Sequence, residues 1–294
     1  MTPITEVEGR RLALSNLEKV LYPVTGTTKG EVLHYYAGIA DVILTHLRDR
    51  PLSFLRYPDG PDGPLFFTKN PPPGTPEWVE VAEVPRSSRE TGAQVVVQNL
   101  PSLMWAANLV VEFHTPQWRT DRPARADRMV LDLDPGDPAT VVECCRVARW
   151  LRERLAADGL GAYVKTSGSK GLHLLVPLDP APSAEVSSYA KGLAVEAEAE
   201  LGGLVVHRMA RALRPGKVFV DHSQNAAAKT TATPYTLRAR AEPTVSAPVT
   251  WEEVEGCGSP GDLVLRLGDI PGRLERHGDL LAPLADPAAA GVLP

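Results

Sequence analysis

The segment Met129-Val-Leu-Asp-Leu-Asp-Pro135 decides the fold of this 294-residue chain. Its apolar and acidic residues alternate, which predicts a β-strand ending near Asp134 with one buried face. Residues two apart on a strand share a face, so Asp132 and Asp134 project together. Leu131 and Leu133 fill the opposite, buried face. The fold must therefore hold two adjacent carboxylates at the end of one strand.

Secondary-structure signals after this segment predict an ordered alternation of strands and helices. A strand over 129–134 is followed by a helix that starts at Asp137-Pro138 and ends near Asp158, strands over 162–166 and 172–177, a helix over 183–201 and a strand over 217–220. The order is β-α-β-β-α-β, which is the split-βαβ arrangement of ferredoxin-like sheets.

The N-terminal part predicts an α/β lobe. The capping box Thr28-Lys-Gly-Glu31 opens a predicted helix from Lys29 to about Arg48. A hairpin over 51–69, a strand over 93–98 and a helix over 102–111 follow. We expect an α+β fold with one domain over 1–270, in which a lobe over about 1–125 packs against the split-βαβ lobe over about 126–255. Residues 271–294 are predicted to be an Ala/Pro-rich tail, weakly ordered from Pro283 onwards.

Composition restricts the class of protein. Apolar residues make up 43% of the chain, which permits a large core and excludes wholesale disorder. No apolar run approaches the roughly 20 residues of a membrane span, no secretory leader is visible, and the three cysteines lack Cys-x-x-Cys spacing. We therefore expect a cytoplasmic protein without membrane attachment. The net charge of -5 argues against coating nucleic acid by bulk positive field, but residues 205–240 hold seven Lys/Arg and one acid.

The paired aspartates predict a metal site. Two adjacent carboxylates repel each other, and burying them is unfavourable unless a cation lies between them. Oxygen ligands favour a hard ion such as Mg²⁺ or Mn²⁺. Asp221 follows another predicted strand and could approach as a third ligand. Three carboxylates can hold two metals about 3.5–4 Å apart, as in phosphoryl or nucleotidyl transfer. The alternative is that Asp-x-Asp only ends a strand before the next helix.

Two further segments carry phosphate-binding chemistry. The turn in Lys165-Thr-Ser-Gly-Ser-Lys-Gly-Leu-His173 supplies free backbone N–H groups, hydroxyls and a lysine, which suit a polyphosphate. It lacks the spacing of a Walker A loop, and a plain hairpin with a solvated lysine is the alternative. Arg238 and Arg240 are two apart and are predicted to share a strand face, where their guanidinium groups suit phosphate oxygens.

Taken in order, these segments resemble the polymerase domain of bacterial DNA ligase D, a member of the archaeo-eukaryotic primase superfamily that acts in non-homologous end joining. The resemblance covers about residues 10–255. It is carried by Leu-Ser-Asn-Leu-Glu-Lys-Val-Leu-Tyr-Pro (14–23), Arg-Tyr-Pro-Asp-Gly (56–60), Phe-Phe-Thr-Lys (66–69), Leu-Asp-Leu-Asp-Pro (131–135), the 165–173 turn, Lys-Thr-Thr-Ala (229–232) and Leu-Arg-Ala-Arg (237–240). The family commonly has a basic residue before Arg56, where this chain has Leu55.

The resemblance implies a role for each candidate residue. Asp132, Asp134 and Asp221 would hold two Mn²⁺ or Mg²⁺ ions. The incoming nucleoside triphosphate would be bound by Ser167, Lys170, His173 and Arg238, with His114 near the sugar and Gln224 as its polar neighbour. Phe66 and Phe67 would form an aromatic platform for a base, although alternation along a strand predicts that one of them is in the core. Lys19 and Lys29 would bind the 5′-phosphate of the DNA, and Arg240 and Lys229 are further phosphate or DNA contacts.

The implied function is primer extension in DNA repair. The resemblance implies that nucleotides, ribonucleotides in preference, are added to primer 3′ ends at gaps or double-strand breaks carrying a 5′-phosphate. The ligase and nuclease modules that often accompany this domain do not fit into 294 residues. We therefore expect a stand-alone, nucleoid-associated protein that works with a Ku-like end-binding protein and a separate DNA ligase.

Two other functions use the same residues. A metal-dependent phosphohydrolase or nuclease would employ the three aspartates to hydrolyse DNA or nucleotides without extending a primer. A non-catalytic nucleic-acid-binding module would bind through the phenylalanines and arginines, and its affinity would survive chelation of divalent metal.

Overall fold

The computed structural model describes residues 4–86 and 90–294, and residues 1–3 and 87–89 of the predicted N-terminal lobe lie outside it. The helices are α1 (Lys29–Gly38), α2 (Ala40–Leu47), α3 (Leu100–Asn108), α4 (Val141–Ala157), α5 (Ser183–Leu201), α6 (Trp251–Gly256) and α7 (Ile270–His277). The first nine strands are β1 (Ile4–Val7), β2 (Arg10–Ala13), β3 (Val20–Tyr22), β4 (Thr27–Thr28), β5 (Ser53–Arg56), β6 (Phe66–Thr68), β7 (Val81–Pro85), β8 (Thr91–Val95) and β9 (Val111–Thr115). The remaining strands are β10 (Arg125–Pro135), β11 (Tyr163–Thr166), β12 (Leu172–Pro182), β13 (Val205–Val206), β14 (Val218–Asp221) and β15 (Thr231–Ala232).

The central sheet has the predicted split-βαβ topology. Its strand order is β11-β12-β10-β14-β13. The first strand of the unit, β10, lies between the third and the fourth, and all its pairings are antiparallel. The short strand β13 adds at the edge, parallel to β14. An α+β fold with a ferredoxin-like sheet is therefore confirmed.

Helices α4 and α5 cover one face of this sheet. Leu131 and Leu133 of β10 are fully buried in a core with Cys144 and Leu151 of α4 and Ala190 of α5. Each leucine buried in this way contributes about 1.5–3 kcal/mol to stability. The opposite face of the sheet carries Asp132 and Asp134, together with the apolar Val130. The adjacent cysteines Cys144 and Cys145 of α4 are both buried in this core.

A second sheet carries the other candidate residues. Its strand order is β15-β9-β5-β6. It belongs to a separate core built with α1, α2 and α3, which we call the first core because it lies earlier in the chain. Residues 235–247 return to the first core, where Tyr235, Leu237 and Val245 are buried. Because the chain crosses back, the two cores share no single sequence boundary, and the division near residue 125 stays a prediction.

Several predicted element boundaries are wrong. The helix predicted over 29–48 is two helices, because α1 ends at Gly38 and Ile39 takes a non-helical conformation. The capping box at Thr28 is confirmed. Helix α4 is capped by Thr140, with Glu143 completing a capping box, and does not start at Asp137. Likewise Asn99, rather than Ser102, caps α3.

The C-terminal segment is packed and not weakly ordered. Leu281 and Leu284 are buried beside Val130 and Leu175 of the central sheet. The backbone N–H of Gly291 donates to the carbonyl of Pro177 at 3.1 Å. Burial of these leucines outweighs the effect of the prolines, which disfavour regular helices and strands.

No helix among residues 4–86 and 90–294 is long and apolar enough to span a membrane.

Candidate active site

A row of polar residues crosses the open face of the central sheet. Asp132 of β10 lies in register with His173 of β12 on one side and with Asp221 of β14 on the other. His173 is in turn in register with Lys165 of β11. Cross-strand partners share a sheet face, and Asp134 shares it as well, two residues after Asp132. The fold thus brings the three predicted carboxylates to one place from two distant segments.

The carboxylates of β10 resist ionisation in this position. Burial raises the pKa of Asp132 to about 7, with a further contribution from the negative charge of Asp221. The pKa of Asp134 is also raised to about 7, by burial and then by repulsion from Asp132 and Asp221. A cation bound between these groups would relieve both repulsions. An all-oxygen donor set of this kind fits Mg²⁺ or Mn²⁺.

The side chain of Asp221 has other partners. Its Oδ1 accepts hydrogen bonds from the Ser223 N–H at 2.9 Å and hydroxyl at 2.6 Å, and its Oδ2 accepts from Gln224 Nε2 at 2.9 Å. Across the described ranges, no group of three or more His, Cys, Asp or Glu side chains is arranged to hold a metal ion as it stands. The donor chemistry fits a metal, but the carboxylate of Asp221 would have to exchange these contacts for it. Gln224 thus contacts the carboxylate site, and its place beside His114 stays a prediction.

His173 is held close to the carboxylates and away from solvent. Its Nε2 lies 3.3 Å from Asp132 Oδ1, and its buried Nδ1 has no partner among the described residues. Burial lowers the pKa of His173 well below its usual value, and the charges of Lys165 and Arg238 add to this. His173 is therefore neutral at neutral pH. The buried ammonium of Lys165 donates to the Ser246 hydroxyl, and burial lowers its pKa strongly.

The turn between β11 and β12 is shaped by its own residues. The Ser167 hydroxyl accepts from the N–H groups of Ser169 and Gly171 at 3.2 and 3.1 Å. The guanidinium of Arg238 donates to the Ser167 carbonyl. Gly168 has φ +67°, and a Cβ there would lie 2.6 Å from Arg238 Cγ. Ser167 is thus engaged in forming the turn, whereas Lys170 extends into solvent with its side chain 72% exposed.

Glu112 joins two predicted nucleotide-binding residues. Its Oε2 accepts from His114 Nε2 and from Arg238 Nε, each at 2.9 Å, and its Oε1 accepts from the Ala239 N–H at 2.7 Å. Burial alone would raise the pKa of Glu112, but the hydrogen bond from His114 and the charge of Arg238 outweigh it and lower the pKa to about 2. A buried anion therefore orients both side chains.

The two arginines do not share a strand. The backbone turns after Leu237, where the Arg240 N–H donates to the Arg238 carbonyl at 2.9 Å. Arg238 points inward to Glu112, and Arg240 is exposed beside a cavity of about 460 Å³ behind the turn. The prediction of a shared face is wrong because residues 238–242 bend, which a period-two pattern in the sequence does not show.

Both phenylalanines of β6 are exposed. The prediction that one of them is in the core is wrong: Phe66 is 53% and Phe67 57% exposed. The three-residue strand β6 is the edge of its sheet, so its side chains have no further strand to pack on. Leu55 lies in register between Phe67 and Glu112 on one sheet face.

The two predicted 5′-phosphate ligands lie together. The Lys29 N–H donates to the Lys19 carbonyl at 2.8 Å. Burial lowers the pKa of Lys29 to about 8, and the charge of Lys19 contributes. Lys19 Nζ donates to Asp59 Oδ1 at 2.8 Å and to the Pro58 carbonyl at 2.7 Å.

Residues 28–281 match the family model of the LigD primase-polymerase domain. The chain belongs to this family. It is therefore a polymerase-type nucleotidyltransferase, and the resemblance inferred from the motifs is confirmed.

Similar proteins support the same family. The multifunctional non-homologous end joining DNA repair protein LigD of Mycobacterium tuberculosis is 42% identical over 293 residues, covering 94% of this chain and 38% of that protein. The bifunctional non-homologous end joining protein LigD of Bacillus subtilis is 28% identical, covering 91% of this chain and 43% of its own length. This chain spans about two fifths of these relatives. The solved polymerase domain of M. tuberculosis ligase D in complex with DNA aligns with TM-score 0.89 and 42% identity, over 96% of this chain and 99% of that one.

Within the LigD primase-polymerase fold, the sequence motifs do not single out two buried charged residues of the site. Lys165 belongs to the 165–173 motif, but its residue type and position in the motif do not by themselves indicate a role. Glu112 lies two residues before His114 on strand β9, so the two side chains share a face of the sheet. This spacing in the sequence indicates that Glu112 can contact His114. The link from Glu112 to Arg238 was not available, because 126 residues separate them.

Proposed function

We propose that this chain extends primer 3′ ends with nucleotides at gaps and double-strand breaks in DNA repair, using Asp132, Asp134 and Asp221 as the ligands of two divalent ions. The observation that carries the proposal is the register of β10 with β14, which sets Asp132 opposite Asp221. Lys165 of β11 lies at the end of the row of polar residues that crosses the sheet. The turn between β11 and β12 begins directly after this strand.

The charged residues of the site would have different roles in the reaction. Bound Mn²⁺ or Mg²⁺ would activate the primer hydroxyl and neutralise the leaving pyrophosphate. The exposed ammonium of Lys170 on this turn would bind triphosphate oxygens. Arg238, oriented by Glu112, stabilises charge that develops on the phosphates. His173 is neutral, and its Nε2 lies beside the Asp132 carboxylate.

Substrates and partners follow from the same proposal. The substrates would be nucleoside triphosphates, with ribonucleotides preferred, and gapped or broken DNA whose 5′-phosphate binds Lys19 and Lys29. Burial of Lys29 favours this role, because a phosphate would compensate an ammonium that is otherwise poorly solvated. End joining in the cytoplasm would involve a Ku-like protein and a separate DNA ligase.

The direct test is extension of a labelled primer across a short gap with and without a downstream 5′-phosphate. Each reaction compares ribo- with deoxynucleotides and Mn²⁺ with Mg²⁺. We expect extension by the wild type, and its loss in Asp132→Asn and Asp221→Asn with DNA binding retained. Lys29→Ala should remove only the advantage given by the 5′-phosphate.

Opposite results would overturn the proposal. Degradation of the DNA or hydrolysis of the triphosphate without extension would identify a nuclease or phosphohydrolase. Unchanged extension by Asp221→Asn would remove that residue from the metal ligands.

A further inference from the structure

Three basic side chains meet beyond the end of β6, outside the residues already assigned to catalysis. Lys69 follows β6 directly, and its Nζ donates to the Ala228 carbonyl at 2.6 Å, next to Lys229. Arg86 Nη2 donates to Oδ1 of Asn70, the residue after Lys69, at 2.5 Å. We call these three residues, Lys69, Arg86 and Lys229, the basic cluster.

The charges that act on Lys69 are both positive. Burial lowers the pKa of Lys69, and the charges of Arg86 and Lys229 lower it further. The hydrogen-bond partners that hold Lys69 and Arg86 in place are neutral, namely a backbone carbonyl and an amide oxygen. Three like charges held together by neutral groups leave a net positive site, and a bound anion would relieve their repulsion.

The basic cluster adjoins the aromatic platform and is connected along the chain to the carboxylate site. Lys69 comes two residues after the exposed Phe67. Lys229 lies in the loop that begins after Asp221, and Trp118 Nε1 anchors this loop by donating to the Ala227 carbonyl at 2.9 Å. Asp221 and Lys229 are eight positions apart in the chain, so their Cα atoms are at most about 29 Å apart. A strand leaving the active site over Phe67 would meet the cluster within a few nucleotides.

We infer that Lys69, Arg86 and Lys229 form a binding site for phosphates of the single-stranded template next to bases that stack on the exposed rings of Phe66 and Phe67. The inference rests on the proposed function, because it requires a template strand. A nucleic acid is favoured over an acidic protein because exposed aromatic rings lie beside the cations, and single strands are bound by this pairing of base stacking with phosphate neutralisation. The 5′-phosphate pair Lys19 and Lys29 is a different site, because Lys19 is anchored to Pro58 and Asp59 in another loop.

The test measures binding without catalysis. Fluorescence anisotropy in the presence of a chelator follows a labelled duplex with a single-stranded 5′ template overhang and the same duplex with blunt ends, each at several salt concentrations. The test variant is the double substitution Lys69→Gln and Lys229→Gln. The control is Arg146→Gln with Arg149→Gln, which removes the same charge from the exposed side of α4, on the opposite face of the central sheet.

We expect the test variant to bind the overhang about tenfold more weakly than the control. The slope of log Kd against log salt should fall by about 1.4, since two phosphate contacts on a single strand are lost. Binding to the blunt duplex should change less than twofold. Thermal unfolding of both variants checks that they are folded.

Three results would overturn the inference. The first is equal affinity of the test and control variants for the overhang duplex. The second is a loss of affinity in the test variant that is as large on the blunt duplex as on the overhang duplex. The third is binding of a polyglutamate peptide to the wild type as tightly as the overhang duplex. The last result would indicate a protein partner. Failure of the wild type to extend primers, with cluster-dependent binding of the overhang intact, would instead contradict the proposed function alone.

Discussion

At the residue scale, the raised pKa values of Asp132 and Asp134 link metal binding to pH. Both values lie at about 7, because the two carboxyl groups are buried and repel each other and Asp221. Protons and cations therefore compete for the same oxygens near neutral pH. The two groups are close enough to titrate as a pair.

We expect the affinity for Mn²⁺ to rise as pH increases from about 6 to 8, with release of protons on binding. Calorimetry in buffers of different ionisation enthalpy measures that release. In metal-free protein, the folded state binds more protons than the unfolded state between about pH 4 and 7, so the free energy of unfolding should fall as pH rises through this range. Asp132→Asn should reduce this fall, and a pH-independent Mn²⁺ affinity would contradict the assignment.

Glu112 provides the second prediction at this scale. Glu112→Gln keeps the size of the side chain but replaces one acceptor oxygen with a donor that faces His114, Arg238 or the Ala239 N–H. Loss of a charged hydrogen bond is worth about 1.5–3 kcal/mol, so we expect the KM for the nucleoside triphosphate to rise at least tenfold with a smaller change in kcat. The control is Glu253→Gln, which weakens the ion pair with Arg273 away from the site. That control should lower the melting temperature without changing KM.

At the scale of elements, the β11–β12 turn depends on one left-handed residue. Gly168 has φ +67°, and a Cβ would lie 2.9 Å from backbone atoms of Val245 and Ser246, besides its clash with Arg238. Neighbouring backbone cannot move aside as a flexible side chain can. The turn's conformation is therefore coupled to the returning segment 235–247, which also carries Arg238.

Gly168→Ala should lower both stability and nucleotide affinity. We expect a loss of about 1–3 kcal/mol in the free energy of unfolding. The matched control is Gly192→Ala in α5, where a Cβ meets nothing within 4 Å and helix propensity predicts a gain of about 0.5–1 kcal/mol. Denaturant titration of both variants checks the opposite signs. A stable Gly168→Ala protein with normal nucleotide affinity would show that the turn is more adaptable than its packing indicates.

At the scale of the whole molecule, the C-terminal segment ties the two cores together. Asp279 accepts from Tyr235 at 2.7 Å, and its other carboxylate oxygen lies 2.9 Å from Nε2 of the buried His46. Leu281 and Leu284, just beyond, pack on the central sheet. The segment thus connects helix α2 of the first core to the sheet that carries the carboxylates.

Asp279→Ala should destabilise the whole chain. It leaves the buried His46 and Tyr235 groups without their partner, for which we expect a loss of about 2–4 kcal/mol. Asp286→Ala is the control, because its carboxylate only caps the exposed turn at Ala288, and should lose about 1 kcal/mol or less. Equal losses in the two variants would show that the buried network contributes little.

Local patterns in the sequence determined the element types and the order β-α-β-β-α-β. They also placed Asp132 and Asp134 on one face and Leu131 and Leu133 on the other, since strand periodicity depends only on neighbouring residues. The ordered motifs were enough to identify the family. Errors at the starts of α3 and α4 arose where several residues could serve as caps, whereas the break between α1 and α2 at Ile39 lies inside a continuous helical pattern.

Only the tertiary structure decided which distant residues meet. It set Asp221 and His173 opposite Asp132, joined Arg238 to Glu112 across 126 residues, left both Phe66 and Phe67 exposed at a sheet edge, and packed the C-terminal segment. Strand register, edge position and burial depend on how elements pack against each other. Periodicity specifies the face of a residue but carries no information about its partner on another strand.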